Sequence, residues 1–276
     1  MLVVDLDGTL RPPDGRFDPA DLEALHRAGE RGVLRILATG RSLASLRRAI
    51  EGVGLPVDVL VFSSGAGICT AGGQLLACRN LDARQVAGLV EDLTEAGLDF
   101  SLHAPIPDSH RFAVVRASGQ PNADLDRRLA TAGEDYLELD ARSGFGPAAQ
   151  IIAVLPPPAA GRMTALRAML NDFSVVRTTS PVDGRSVWIE IFAQGVSKGA
   201  ACAELAARHG CDAADALAIG NDYNDLDMLR WAGRARVVDG APAELRAEFA
   251  SVAGCTQGGA AEAIDAWLAE MTGDRR

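Results

Sequence analysis

The apolar run Leu2-Val3-Val4 leads straight into Asp5-Leu6-Asp7-Gly8-Thr9-Leu10. Such a run reads as a buried strand, and strand alternation puts the side chains of Asp5 and Asp7 on one face. Like charges placed together raise each other's cost unless a cation or a phosphoryl group uses them. The residues beyond Leu10 give this strand its setting. Asp18-Pro19 offers a helix N-cap with proline at the first helical position, and Leu22, Leu25, His26 and Ala28 give the helix an apolar face as far as Gly32. Residues 33–38 read as a second strand ending at Thr39-Gly40-Arg41-Ser42, residues 43–50 as a second helix, and residues 57–62 as a third strand ending at Ser63-Ser64-Gly65-Ala66-Gly67. Strand and helix alternating with short connections predict a parallel sheet with helices on its faces. Ligands collect at the carboxyl ends of such strands, where Asp5, Asp7 and Thr39 all fall.

The middle of the chain has another pattern. Between 81 and 186, helical stretches at 83–96, 123–132 and 161–170 interleave with strand-like runs at 99–103, 111–116, 150–155 and 173–177. Pro105, Pro107, Pro121 and Pro156 to Pro158 punctuate the loops. This predicts an α+β insert with a mostly antiparallel sheet. The βα alternation resumes after Val187-Trp188-Ile189-Glu190-Ile191, with a helix at 197–209, a strand at 216–219 and Gly220-Asn221-Asp222-Tyr223-Asn224-Asp225 at its end. A helix at 226–231, a strand at 235–238 and a helix at 260–271 complete the pattern. A chain of 276 residues exceeds the usual domain of about 100–150. The expected division is therefore a discontinuous core, 1–80 with 187–276, and an inserted domain, 81–186.

Composition narrows the function. Hydrophobic residues make up 48% of the chain, ample for a packed core. No apolar run approaches the roughly 20 residues of a membrane span, and no leader pattern of basic, apolar and small residues is present. The net charge of -10, with no basic patch, argues against a nucleic-acid partner. Five cysteines (Cys69, Cys78, Cys202, Cys211, Cys255) are odd in number and lack metal-ligand spacing. They read as free thiols of a reducing, cytoplasmic setting.

Four separated pieces end expected strands or open expected helices: Asp5-Leu6-Asp7-Gly8-Thr9, Thr39-Gly40-Arg41, Lys198-Gly199, and Gly220 to Asp225. Together they resemble the haloacid dehalogenase (HAD) superfamily of phosphatases and phosphotransferases. The insert and the run Gly195-Val196-Ser197-Lys198-Gly199 are most similar to its Cof-type branch, subfamily IIB, with a large α/β cap of the C2B type. The resemblance implies a Rossmann-like parallel-sheet core with an α+β cap that excludes water and chooses the leaving group. It implies Asp5 as the nucleophile that forms an aspartyl-phosphate, and Asp7 as acid on the leaving alcohol and then base on water. Thr39 would hold a phosphoryl oxygen, helped by the Gly40 amide, while Arg41 faces either the cleft or solvent. Lys198, poorly placed against a helix dipole for a purely structural lysine, matches the lysine that bridges nucleophile and phosphate.

By the same resemblance the cofactor is Mg²⁺, held by Asp5, the Asp7 carbonyl and the last motif, and Asn224 matches a phosphate-side amide. That motif departs from the family pattern Gly-Asp-x-x-Asn-Asp, because the position giving Mg²⁺ a carboxylate is Asn221. An amide oxygen ligates a hard cation without the charge, so Asp222 would compensate, Asp225 would orient the ligands, and the site would hold Mg²⁺ more weakly. Ser64 likewise stands where Asn-Gly-Ala is usual, and Asp239-Gly240-Ala241 where Gly-Asn-Ala is. The implied activity is Mg²⁺-dependent hydrolysis of a small phosphorylated metabolite, of the sugar-phosphate kind. The alternatives are a phosphomannomutase-like phosphotransferase and a binding or regulatory protein with attenuated catalysis. In the insert, His103, His110, Arg111, Arg142, Arg177 and Arg185 are expected as solvated groups more than as substrate contacts. Trp188, Trp231 and Trp267 are expected in the core, and His26 and His209 as structural or exposed.

Overall fold

The computed structural model describes residues 1–132, 135–138, 144–156, 165–166, 168–180 and 182–273. It divides into two compact units. One comprises Met1–Arg41, Leu46–Ala77 and the chain from Ser197 onward; the other comprises Ser42–Ser45 and Cys78–Val196.

In the first unit the expected alternation forms: β1 (Leu2–Asp5), α1 (Pro19–Glu30), β2 (Arg35–Ala38), α2 (Leu43–Ile50) and β3 (Val59–Phe62), followed by β4 (Gly67–Thr70) and β5 (Leu75–Cys78). The Asp18 side chain caps α1 by accepting from the Ala20 amide, with Pro19 at the first helical position. Every residue of β1 is buried, as expected of a central strand covered on both faces.

The inserted unit contributes α3 (Ala83–Glu95), β6 (Asp99–His103), β7 (Phe112–Val115), α4 (Ala123–Ala132), β8 (Tyr136–Glu138), β9 (Gln150–Leu155), β10 (Ser174–Thr179) and β11 (Val187–Phe192). Its six strands run in the order β10-β11-β9-β6-β7-β8, antiparallel except for the β7–β8 pair. Period-2 alternation gives the sheet two apolar faces. Phe100, Leu102, Ile151, Ala153, Ile189 and Ile191 pack with Val86, Leu89 and Leu93 of α3, whereas Val114, Ile152, Val154 and Trp188 pack with Leu125 and Leu129 of α4.

The chain then returns to the first unit with α5 (Lys198–His209), β12 (Leu217–Gly220), α6 (Leu226–Trp231), β13 (Arg234–Val238), α7 (Ala243–Glu248), β14 (Ala250–Val252) and α8 (Gly259–Gly273). The sheet order is β14-β13-β12-β1-β2-β3-β4-β5. It is parallel from β14 to β3 and turns antiparallel at β4. The register Asp5↔Ala38 on one side of β1 and Val4↔Ile219 on the other aligns the carboxyl ends of β2, β1 and β12. Asp5, Thr39 and Asn221 emerge there side by side. Beneath them Val3, Ile36, Ala38, Val61 and Ala218 pack with Cys202 and Leu205 of α5. Among the described residues no helix is long and apolar enough to cross a membrane.

Several expectations need revision. The sequence puts the return to the core at 187, but Val187–Phe192 pairs with β9 and β10, so the insert runs to Val196. A strand that pairs only with insert strands belongs to them whatever its spacing in sequence. His103 is buried rather than solvated: its Nδ1 donates to the Ser109 carbonyl at 2.7 Å, and its Nε2 lies 2.9 Å from Arg128. Burial and the Arg128 charge push its pKa down to about 3. His110 and Arg177 are half-buried, while Arg111 and Arg185 are exposed. Trp188 and Trp267 are buried and Trp231 only partly so, whereas His26 and His209 are exposed. Arg142, Pro157, Pro158 and half of the expected helix at 161–170 (161–164 and 167) lie outside the described residues.

The two ends of the first unit meet at Asp21. Fully buried in the first turn of α1, it accepts from the Ala261 amide at the start of α8 at 2.7 Å. Burial, then the neighbouring Asp18, act against its charge, and the pKa rises to about 6 despite the Ala261 and Ala260 amides. An unfolded aspartate titrates near about 3.9. The stability contributed by this raised pKa is therefore complete below about pH 4 and lost as pH rises through 6. Asp21→Asn, which keeps an acceptor for Ala261 without the charge, should flatten this slope in urea unfolding compared at pH 4.5 and 7. Asp21→Ala should destabilise at both, by about 1–2 kcal/mol.

Candidate active site

The site grows from the end of β1. Asp5 closes the strand with 4% of its surface exposed, and the chain then turns through Gly8. Gly8 lets the Asn221 side chain lie directly over its α-carbon. Thr39 follows β2 and is likewise buried; its hydroxyl oxygen accepts from the Arg41 amide at 3.2 Å. The Thr39 amide donates to the Val61 carbonyl and the Ser64 amide to the Thr39 carbonyl, so β3 and its turn hold the loop. That turn is strained. Ser63 and Ser64 take φ values of 47° and 52°, a left-handed conformation costly for residues other than glycine. Next to them Gly65, at φ 103°, lies against the Ser197 carbonyl so closely that a Cβ would overlap it. One turn thus braces both the Thr39 loop and the start of α5.

Ser197 caps α5, its hydroxyl oxygen accepting from the Ala200 amide. Lys198 opens the helix with its side chain wholly buried, and its Nζ donates to Asp5 Oδ1 and to Asp225 Oδ1, each at 2.7 Å. A cation at a helix N-terminus opposes the macrodipole; two carboxylates at contact distance overcome that. Burial works to lower the lysine's pKa, but the Asp225 and Asp5 charges outweigh it and the group stays protonated. Asp225 has no oxygen to spare. Its Oδ2 accepts from the Asn221 and Asp222 amides at 2.8 and 3.1 Å, which folds Gly220–Asp225 into its tight turn.

Asp5 is left short of positive charge. Burial, and then Asp225, raise its pKa to about 7 in spite of Lys198, with Asp7 adding to the rise. Its Oδ2 is buried and lacks a hydrogen-bond partner. Nearby, Asn221 Oδ1 accepts from the Thr9 hydroxyl at 3.3 Å, and Asp222 Oδ1 accepts from the Tyr223 amide at 2.8 Å. Among the described residues no three His, Cys, Asp or Glu side chains are drawn together as a metal cluster. The donors are nonetheless those a hard divalent cation takes: carboxylate, amide and main-chain oxygens. The bare Asp5 oxygen is where such a charge fits.

Asp7 stands apart from this buried group. Its carboxylate is 42% exposed and accepts from Arg41 twice, from Nε at 2.5 Å and Nη2 at 2.7 Å. Arg41 therefore faces the site. Its pKa is raised, chiefly by the hydrogen bond to Asp7, with burial acting against it. Gly40 and Asn224 are half-buried in the loops beside Thr39 and Asp225. The structure thus gathers Asp5, Thr39, Lys198, Asn221 and Asp225 at the strand ends, and Asp7 with Arg41 at their rim. Arg11 carries no signal in the sequence beyond its place two residues after the first motif; its Nη1 lies 3.7 Å from Asp7 Oδ1. Thr9, read only as part of that motif, reaches Asn221.

Lys198→Met should expose the dependence of this centre on one cation. Two buried carboxylates would face each other unpaired, at a cost of about 3–5 kcal/mol. Urea unfolding at pH 7 measures the loss, which should shrink toward pH 5 as Asp5 takes up a proton.

Comparison with known proteins agrees with this geometry. A family model described as haloacid dehalogenase-like hydrolase matches residues 2–264. The chain is 28% identical over 276 residues to the HMP-PP phosphatase of Cronobacter sakazakii, covering 96% of this chain and 94% of that protein. It is 22% identical over 262 residues to a 5-amino-6-(5-phospho-D-ribitylamino)uracil phosphatase of Bacillus subtilis, covering 89% of each. Among solved structures, a HAD subclass IIB sugar phosphatase superposes with a TM-score of 0.76 at 16% identity, over 97% of this chain and 99% of that one. At that identity the likeness speaks for the fold. The chain belongs to the haloacid dehalogenase superfamily and is a phosphatase with the fold of the subclass IIB sugar phosphatase.

Proposed function

We propose that this phosphatase removes a phosphoryl group from a small phosphorylated metabolite, with Mg²⁺, through an aspartyl-phosphate on Asp5. The observation that carries the reading is the state of Asp5: one oxygen is held by Lys198 and the other is buried and bare. A carboxylate kept in that state is oriented by the lysine and has a lone pair free for phosphorus. In the first step an Asp5 oxygen bonds to phosphorus while the ester P–O bond breaks, its electron pair leaving on the substrate oxygen, which Asp7 protonates. In the second, water attacks the same phosphorus as Asp7 takes its proton, releasing phosphate and freeing Asp5. Thr39 and the Gly40 amide orient the phosphoryl oxygens, with Asn224 on the phosphate side, and Lys198 balances charge on both the nucleophile and the transferring group.

Asp5, the Asp7 carbonyl, Asn221 and Asp222 would hold the metal, with Asp225 fixing the turn behind them. The bound ion supplies the positive charge that Asp5 lacks and so keeps it ionised. Relatives named as phosphatases of HMP-PP and of a phosphoribitylamino-uracil support a small metabolite with a ring or sugar body. The free cysteines support a cytoplasmic setting.

Phosphate release from a panel of sugar phosphates and an aryl phosphate, with and without Mg²⁺, tests the reading. Turnover should need the metal and vanish in Asp5→Asn. Transfer of phosphate between sugar positions without release would instead favour a mutase. Metal binding itself should depend on pH: with the Asp5 pKa near about 7, binding displaces its proton, and affinity should climb as pH rises from 6 to 8. Asn221→Asp, adding a charged ligand, should tighten Mg²⁺ by about tenfold or more in titration calorimetry; equal affinities would refute the assignment of Asn221 to the metal.

A further inference from the structure

We propose that Ser63 and Ser64 are positioning residues for phosphoryl transfer, holding the Thr39 hydroxyl on its target through a left-handed turn of the main chain. The inference rests on the reading of Thr39 as the group that holds a phosphoryl oxygen. Ser63 and Ser64 take φ values of 47° and 52°, with 1% and 0% of their surfaces exposed. Two successive residues with a Cβ in that region are costly, and such a turn persists only where its surroundings over-determine it. No step of the reaction above uses either side chain; what the turn supplies is a pair of main-chain donors.

The turn is fixed at its base, within itself and at its far side. At the base Phe62 pairs with Gly67 across the β3–β4 hairpin, and the Phe62 ring lies so close to Gly67 that a Cβ there would overlap it. Within the turn the Ala66 amide donates to the Ser63 carbonyl at 2.9 Å. At the far side Gly65 meets the Ser197 carbonyl, which accepts from the Ala201 amide at 3.1 Å as the first bond of α5. The start of a helix is thus the wall against which the turn is seated.

The left-handed pair turns two consecutive amides toward the loop after β2. The Ser63 amide donates to the Arg41 carbonyl at 2.8 Å and the Ser64 amide to the Thr39 carbonyl at 3.0 Å. The Thr39 amide donates to the Val61 carbonyl at 2.9 Å, so the peptide groups on both sides of Thr39 are held. Its hydroxyl oxygen accepts from the Arg41 amide at 3.2 Å, which leaves the hydroxyl proton to donate to a phosphoryl oxygen. Right-handed residues at 63 and 64 would swing both amides away and leave the Thr39 and Arg41 carbonyls without these donors. The hydroxyl would then lose its aim, and with it the charge stabilisation that a fixed donor gives.

Three substitutions at one position separate the main chain from the side chain. Ser64→Gly accepts the left-handed conformation without a Cβ, and Ser64→Ala keeps the Cβ but drops the hydroxyl. Ser64→Thr keeps the hydroxyl and adds a β-branch that opposes the conformation. On an aryl phosphate with Mg²⁺, Ser64→Gly and Ser64→Ala should retain kcat/KM to within about twofold, while Ser64→Thr should lose about tenfold or more. If Ser64→Thr does not fold, Ser63→Thr puts the same branch on the neighbouring left-handed residue. Orthovanadate binding in titration calorimetry should fall in step with kcat/KM. Mg²⁺ affinity should stay unchanged, because none of the residues assigned to the metal lies on this turn. Activity that follows the hydroxyl, equal activity in every variant, or Mg²⁺ affinity lost along with turnover would each overturn the proposal. Failure of the phosphatase reading would show separately, as no Mg²⁺-dependent turnover of the aryl phosphate by wild type, and orthovanadate binding would still rank the variants.

Discussion

Lys198 lies wholly buried with its ammonium 2.7 Å from Asp5 and 2.7 Å from Asp225, residues 193 and 27 positions away in the chain. The end of the first strand, the start of α5 and the turn after β12 therefore share one charge. An ammonium so deep is tolerable only with both carboxylates present, and each carboxylate only with the ammonium. The rest of the centre is arranged around this requirement. Asp225 spends its other oxygen on the turn that carries Asn221 and Asp222, and the left-handed Ser63–Ser64 turn with Gly65 presses against the residue that caps α5. Three carboxyl and ammonium groups carry two charges of one sign against one of the other. The imbalance settles on Asp5, whose pKa rises to about 7, and it defines where a further positive charge belongs.

The rim obeys a different electrostatic rule. Asp7 is half in solvent and its partners are guanidiniums, not an ammonium. Screening makes such pairs weak contributors to stability, so their geometry matters more for what they orient than for what they stabilise. Buried and exposed carboxylates two residues apart thus acquire separate surroundings from one strand end, which is the condition for dividing nucleophilic and proton-transfer work between them.

The inserted unit stands on its own hydrophobic logic. Its sheet is apolar on both faces, one against α3 and the other against α4. Asp124 gathers polar groups on the α4 side: Trp188 Nε1 and the Ser180 hydroxyl donate to it, and Arg128 lies over the Phe112 and Trp188 rings while reaching His103. His103 reads as solvated in the sequence because nothing local marks it. Its burial comes from strands and a helix that meet only after folding.

Much is legible in order along the chain. The apolar run before Asp5, the proline after Asp18, the glycines after each strand and the alternation of periods determined a parallel sheet, its strand ends and the residues that gather there. Local signals suffice for this because strand pairing in a βα repeat follows from short right-handed crossovers. Tertiary structure alone decided the rest. Val187–Phe192 has the apolar spacing of any buried strand, and only its hydrogen bonds to β9 and β10 assign it to the insert. Arg41 was open between cleft and solvent until Asp7 lay within reach, and Arg11 carried no pattern at all. Periodicity records which face of an element is buried. It holds no record of which distant charge a long side chain will find, because that depends on distances set only when the elements pack.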